Sequence, residues 1–362
     1  MSDSEYPRIT VYGATGYTGD LVCRELASRG RDFVAAGRNF EKLQHLSVEI
    51  GDEFGVVPTL RSANVDDPSS LDAMLRETNV LINCAGPFTE LGPPVAEAAV
   101  RNDAHYLDTT GEQEHIRWLR DFLSDEAAEN EVVLMPSCAY EYATGLIAAA
   151  LALEQSATRI ACCYGVTNFK TTPGTKKSIV RSIGNGGYTY RGGQLVERKS
   201  GAKTYQVTCP DGSVRKALWF PGGEPILVPL LGDVDTAESC LLMGDAVASL
   251  LPLFSGIMPA AARAAQPLVD RVVDWMGEDE KERDAEKSPF QVVAFDPMKD
   301  HWYAAVFGYE PYEATARIIV EAASRLDDKH ELAYGLQTPP SLFDLRDFAQ
   351  SAELDLSIND AS

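Results

Sequence analysis

Three features of these 362 residues predict an α/β chain with an N-terminal doubly wound parallel sheet and a second α+β domain with a largely antiparallel sheet. The first 150 residues alternate short apolar runs with amphipathic stretches, the rhythm of βαβ units. A glycine triplet separates the first apolar run from the first amphipathic stretch. After about Leu153 the texture changes to Gly-rich turns between β-branched and aromatic runs. The length exceeds what one hydrophobic core usually supports, so two domains are expected.

Arg8 to Tyr12 is the expected first strand, and Tyr17 to Arg29 is a helix that Gly30 ends. Further strands are predicted at Phe33 to Ala36, Thr59 to Ala63, Val80 to Cys84, Tyr106 to Asp108 and Val132 to Met135. In the second domain, strands are expected at Ile160 to Phe169, Tyr188 to Glu197, Tyr205 to Cys209, Ala217 to Phe220, Gln291 to Phe295 and Trp302 to Phe307. A short helix is expected at Thr175 to Ile183. Ala316, Ile319, Val320 and Ala323 share one face of a helix over Tyr312 to Leu326. The expected organisation is 1–150 as a nucleotide-binding domain, 151–310 as a substrate or dimerisation domain, and 311–362 as a helical segment packing back on the first.

Tyr12-Gly13-Ala14-Thr15-Gly16-Tyr17-Thr18-Gly19 carries the chemistry. Gly13 permits a tight turn off the strand, Gly16 lets backbone N–H groups approach a pyrophosphate, and Gly19 lets helix and strand pack closely. A glycine corner alone is a weak signal; the preceding strand and following helix make it a Rossmann dinucleotide motif. Where NAD-binding domains usually carry an acidic residue, after strand two, this chain has Gly37-Arg38-Asn39. Arg38 can pair with a 2′-phosphate through its planar fork, so the expected cofactor is NADP(H). Asn64 and Asp66 after strand three, and Asn83, Ala85, Gly86, Pro87 and Phe88 after strand four, are expected to line the same crevice. Ordinary turn chemistry is the other reading of both groups.

At Gly13 to Gly19, Asn83 to Phe88, Leu91 to Val95 and His105 to Glu112, the sequence resembles the saccharopine dehydrogenase-like oxidoreductases, including the trans-acting enoyl reductases. Thr172-Pro173-Gly174-Thr175 with Ser178, and Tyr334 to Pro339, extend the likeness. The chain departs from that family's frequent Phe-Asp-x-x-Pro segment, having Val133 to Tyr140 there. The resemblance implies an NADP-dependent reductase or dehydrogenase that transfers hydride to a substrate held between two domains. Within the family's range, a lipid-linked or other apolar unsaturated enoyl substrate is the first expectation, placing the protein in lipid metabolism.

For substrate chemistry, Tyr106, His105 and Asp108 are the candidate catalytic residues, because reduction needs a proton donor beside the nicotinamide. Two alternatives stand. Cys138 could form a thioester, as in semialdehyde dehydrogenases and acyl-phosphate reductases, or the fold could serve a non-catalytic NADP-binding sensor. No tyrosine has a lysine four residues on, which excludes the short-chain dehydrogenase arrangement. The five histidines form no His-x-x-x-His pair, so no metal site is expected. Among candidate carboxylate clamps, only Arg181 and Arg191 stand out; Lys176 and Lys177 lie in the same basic stretch.

The formal charge of −22 repels phosphate backbones, so nucleic acid is not an expected partner. An acidic, lysine-poor composition of this kind suits a proteome kept soluble in high salt. Seven cysteines without CxxC spacing read as reduced cytoplasmic thiols, and the acidic start lacks the order of a signal peptide. Ala246 to Ala262 is apolar but broken by Pro252, Gly256 and Pro259. It suits a lid, a homodimer interface or a peripheral membrane contact, not a span. Gly277 to Lys287 is a charge run expected on a solvated surface.

Overall fold

A computed structural model of the chain describes residues 8–167, 186–199, 203–242, 288–299, 301–328 and 332–359. The expected helix at 175–183, the basic residues Lys176, Lys177 and Arg181, the Thr172 to Ser178 turn, the apolar segment 246–262 and the charge run 277–287 lie outside the described residues. The chain divides into two compact units. One comprises 1–110, 114–143 and 312–342, and the other 111–113, 144–311 and 343–362.

The first unit is built on strands β1 (Ile9–Tyr12), β2 (Phe33–Gly37), β3 (Thr59–Ser62), β4 (Val80–Asn83), β5 (His105–Asp108) and β6 (Val133–Met135). Between and after them lie helices α1 (Tyr17–Ser28), α2 (Phe40–Phe54), α3 (Pro68–Met74), α4 (Phe88–Arg101), α5 (Gln113–Trp118) and α6 (Ser124–Glu129), followed by α7 (Tyr140–Glu154). Strand pairing is parallel throughout, in spatial order β6-β5-β4-β1-β2-β3, with the short strand Gly335–Leu336 added beyond β6. Every residue of β1, β2, β4, β5 and β6 is buried, as a sheet covered on both faces requires. Strand β3, at the edge, is exposed at both ends and half-buried between them. Strand order reverses at β1, which lies between β4 and β2. The crevice for a ligand is therefore at the carboxyl ends of β1 and β4.

The helix Pro311–Asp328 joins this unit through ion pairs of Arg29 with Glu321 at 2.6 Å, Arg8 with Asp327 at 3.0 Å and Arg31 with Asp328 at 2.9 Å. The C-terminal stretch expected to behave as one piece is divided: residues 343–362 belong to the second unit.

That unit holds β7 (Arg159–Val166), β8 (Gly187–Arg191), β9 (Gln194–Arg198), β10 (Thr204–Thr208), β11 (Val214–Trp219), β12 (Thr236–Leu242), β13 (Pro289–Phe295), β14 (Trp302–Tyr309) and, numbering Gly335–Leu336 as β15, β16 (Asp355–Ile358). The sheet runs β10-β11-β12-β7-β13-β14-β16, with β8 against β12 and β9. All pairs are antiparallel except β12 with β7. The single run expected over Tyr188 to Glu197 is a hairpin, because Gly192 and Gly193 take φ of +53° and +86°. That pair of left-handed residues matches the twist of a two-residue turn. One face of the sheet gathers Cys163, Tyr205, Ala217, Trp219, Cys240, Val293 and Phe295 into a single apolar core.

Candidate cofactor site and the end of the fifth strand

The glycine loop has the geometry that its spacing implies. Gly13 lies at φ +80°, and a Cβ there would come within 2.9 Å of the Ala85 backbone nitrogen. A Cβ on Gly19 would lie 2.1 Å from the Gly13 carbonyl oxygen, so β1 and α1 can approach only because residue 19 is glycine. The Gly13 and Ala14 amides donate to the Ala36 carbonyl at 3.0 and 3.1 Å, pinning the loop to β2. Gly16 is the N-cap of α1 and supplies no side-chain cap. An anion would therefore lie at the first turn of α1, at the positive end of the helix dipole. Thr15 and Thr18 are half-buried there and Tyr17 is exposed, its ring packing edge-on to Tyr312 at 5.1 Å.

Arg38 follows β2, is exposed, and pairs with no carboxylate among the described residues. It lies close enough to the buried Tyr12 phenol to oppose the upward push that burial gives that group. Asp66 acts on Tyr12 in the opposite sense, and the Val65 amide bonds to it, so Arg38, Tyr12 and the turn after β3 meet at one corner. The Asn64 side chain accepts from the Asp66 amide at 3.3 Å; it shapes the turn, while Asp66 stays exposed.

After β4, the Asn83 carboxamide is committed to the fold. Its Oδ1 accepts from Ala85 N at 2.9 Å and its Nδ2 donates to the Tyr106 hydroxyl at 3.1 Å. Ala85 and Pro87 are half-buried and Gly86 is exposed, leaving a low rim, with the buried Phe88 ring beneath it.

The end of β5 differs from expectation in a way that reassigns its residues. His105 is the first residue of β5, paired with the first residue of β4. It therefore sits at the amino edge of the sheet, roughly 10 Å from the carboxyl edge at about 3.3 Å per residue. There its Nδ1 accepts from the Val133 amide at 3.1 Å, and burial lowers its pKa to about 4. It is a neutral structural histidine, not a proton donor to the cofactor side.

Tyr106 and Asp108 are fully buried. Asp108 Oδ1 accepts the Thr110 and Ser137 amides at 2.9 and 2.8 Å, tying the turn after β5 to that after β6. Its Oδ2 lies 3.1 Å from Nε2 of His115, which is 3.3 Å from the Tyr106 hydroxyl. A carboxylate accepts, so Nε2 carries the hydrogen and Nδ1 is the acceptor. That Nδ1 is buried without a partner. The ring fits because position 92 is glycine: a Cβ there would stand 2.3 Å from His115 Cε1. Trp118 stacks on the same ring at 6.3 Å. Burial pushes the Tyr106 phenol well up, and Asp108 adds to it. Both fully buried, Tyr106 and Asp108 are engaged in fixing the strand ends.

Cys138 is likewise fully buried, and burial, reinforced by Asp108, raises its thiol well above the usual range. A buried thiol is not presented to a substrate as a thioester-forming nucleophile must be, so the burial of Cys138 speaks against the thioester alternative. Cys84, beside the rim, is pushed up to about 12 by burial.

Two side chains of this edge escaped sequence reasoning. His115 was visible only as a histidine without metal spacing; the glycine opposite it, in α4, becomes its socket only when the helices pack. Glu141 follows β6 at the start of α7, where its backbone is extended at φ −92°, ψ 114°. It is half-buried and has no hydrogen-bond or ion-pair partner among the described residues. Burial alone raises its carboxyl to about 7.

A glycine cradle at an uncapped helix start, with an unpaired arginine after β2, defines a dinucleotide-binding α/β domain. Residues 9–135 match the family model described as the saccharopine dehydrogenase NADP binding domain. Over these residues the chain is similar to that family's domain, whose nucleotide is NADP(H). Among curated proteins, the chain is similar to the saccharopine dehydrogenase-like oxidoreductase of Homo sapiens, with 31% identity over 156 residues, 39% of this chain and 36% of the relative. It is 33% identical over 140 residues to a lipid droplet localized protein of Caenorhabditis elegans, covering 37% of this chain and 33% of that one. It is 30% identical over 135 residues to a Mycobacterium tuberculosis protein named as a trans-acting enoyl reductase, covering 37% of this chain and 32% of that one. The match thus spans about a third of the length of these relatives. In fold, the chain is similar over 97% of its length to 99% of apo saccharopine dehydrogenase (L-Glu forming) of Saccharomyces cerevisiae, with TM-score 0.63 and 11% identity.

Proposed function

We propose that this protein is an NADPH-dependent reductase of the saccharopine dehydrogenase-like group whose substrate is an apolar, unsaturated molecule of the enoyl type. The observation that carries the reading is the cradle at Gly13, Gly16 and Gly19, where each added Cβ would meet backbone. The glycine loop holds the pyrophosphate at the α1 amides and Arg38 takes the 2′-phosphate. When bound, the nicotinamide supplies a hydride, here to one carbon of a polarised double bond. A proton must reach the other carbon, and Glu141 is the side chain of the carboxyl edge that keeps one near neutral pH. Tyr106, Asp108 and His115 hold the turns on which that edge is built.

The lipid side of the reading is supported by what two relatives are called, a trans-acting enoyl reductase and a lipid droplet localized protein. No described helix is long and apolar enough to cross a membrane, so any association with a lipid surface is proposed as peripheral.

Titration of the purified protein with NADPH and NADH tests the cofactor half. NADPH should bind the tighter, and Arg38→Ala should weaken NADPH by about tenfold or more, the worth of a charge-assisted pair, while leaving NADH nearly unchanged. Gly16→Val should abolish both. Equal affinity for the two nucleotides in wild type and Arg38→Ala would remove the role of Arg38. NADPH oxidation on a panel of enoyl thioesters, with oxo acids plus amines as the contrasting set, tests the substrate half; turnover confined to the second set would overturn the enoyl reading.

A further inference from the structure

The second unit carries a cluster that the cofactor reading does not use. Glu238 in β12 is fully buried, and donors converge on it from strands β8 and β10 and from the residue that precedes β10. Its Oε1 takes the Thr189 hydroxyl at 3.2 Å and Arg191 Nη2 at 3.0 Å; its Oε2 takes Lys203 Nζ at 2.7 Å and the Tyr205 hydroxyl at 2.6 Å. Arg198 Nη1 stands further off, at 3.7 Å.

Three cations thus face one carboxylate. One positive charge neutralises Glu238, leaving an excess of two in a chain whose net charge is −22. Like charges gathered this closely repel, and a structural need for one buried carboxylate is met by Lys203 and Tyr205 alone.

The donors are also underused. The Arg198 side chain is only 17% exposed, yet none of its five N–H groups has an acceptor at bonding distance. Its guanidinium instead lies 5.8 Å from the centroid of the Trp219 ring. Trp219 is fully buried and its indole N–H has no acceptor. Arg191 uses one donor on Glu238 and stays 47% exposed. A withdrawn guanidinium and a buried indole N–H without acceptors are both costly, and an oxygen acceptor supplied by a ligand would relieve such costs.

We propose that the β8–β9 hairpin and strands β10 to β12 form a binding site for a doubly charged acid group, a phosphate or a pair of carboxylates. Arg191, Arg198 and Lys203 are its cations. Glu238 is the fixed counter-charge that holds the three side chains converged before the ligand arrives. Arg191 is the one sequence candidate for a carboxylate clamp among the described residues; Arg198 and Lys203 join it only through strand pairing.

The test follows the Trp219 indole resonance in ¹⁵N-labelled full-length protein, identified by its loss in Trp219→Phe. Inorganic phosphate and succinate are titrated separately, with KCl holding ionic strength constant and NADPH saturating, so that the cofactor site is already filled. A saturable shift is expected. A response to phosphate alone assigns the phosphate source, and a response to succinate alone assigns carboxylates. Arg198→Gln should weaken the effective anion about tenfold or more. Arg191→Gln, at a half-exposed position that leaves the core intact, should weaken it several-fold and guards against misfolding of the first variant. No movement beyond the KCl control, or unchanged affinity in folded Arg191→Gln and Arg198→Gln, overturns the proposal.

Discussion

Glu141 and Glu238 are both carboxylates withdrawn from water, one in each unit, and their surroundings drive them in opposite directions. Burial acts on Glu141 unopposed and lifts it to about 7. At Glu238 burial pushes the same way, but the bonds from Lys203, Tyr205 and Arg191 outweigh it and hold the group at about 2. Removal from water sets the size of the electrostatic problem, and the neighbouring donors decide its sign. A partnerless carboxyl keeps a proton to give, whereas a surrounded one is a permanent charge that organises cations.

The largest way to break this contrast is Glu238→Ala. It leaves three cations without their counter-charge, and the expected cost is about 3–5 kcal/mol, read as a fall in urea midpoint at neutral pH. A loss below about 1 kcal/mol would mean that solvent already screens the cluster. Tyr205→Phe removes one donor and keeps the ring, so a smaller loss of about 1.5–3 kcal/mol is expected, the range for a hydrogen bond to a charged group. Its effect should vanish in acid once Glu238 is protonated. Because the folded pKa is depressed, the stability that Glu238 contributes is complete above 4.5 and is lost as pH falls toward 2.

The smallest effect sharpens the comparison most. Glu141 is raised, so its contribution is present below 4.5 and is lost as pH rises through about 7. His105 is lowered, so its contribution is present above 6.5 and is lost as pH falls through about 4. Between 4.5 and 6.5 the two slopes oppose, each at most about 1.4 kcal/mol per pH unit. Glu141→Gln should therefore make stability rise with pH across that window relative to wild type, while His105→Gln should make it fall. Parallel profiles for wild type and Glu141→Gln would show that the Glu141 carboxyl titrates as if in water.

How much was legible in advance follows the range of the interactions. The parallel sheet and the helix after the glycine loop rest on periodicity and on neighbours within a few residues, and these the chain displays openly. His105 lies away from the expected edge because residues close in sequence at a short strand do not share an edge; His105 and Asp108 stand at opposite ends of β5. The β12 and β16 strands, and the division of the tail at residue 343, depend on partners far along the chain, which composition does not reveal.

By itself, then, the amino-acid order determined a dinucleotide-binding α/β domain and a second domain with a largely antiparallel sheet, since local sterics of glycine and hydrophobic period suffice for each. Only the tertiary structure decided which polar groups are closed off and which remain open. It retired Tyr106, Asp108 and Cys138 to the interior, left Glu141 without a partner, and brought Arg191, Arg198 and Lys203 onto one carboxylate. Burial and convergence are properties of surfaces that meet across long sequence separations, and a side chain acquires its charge and its reach only there.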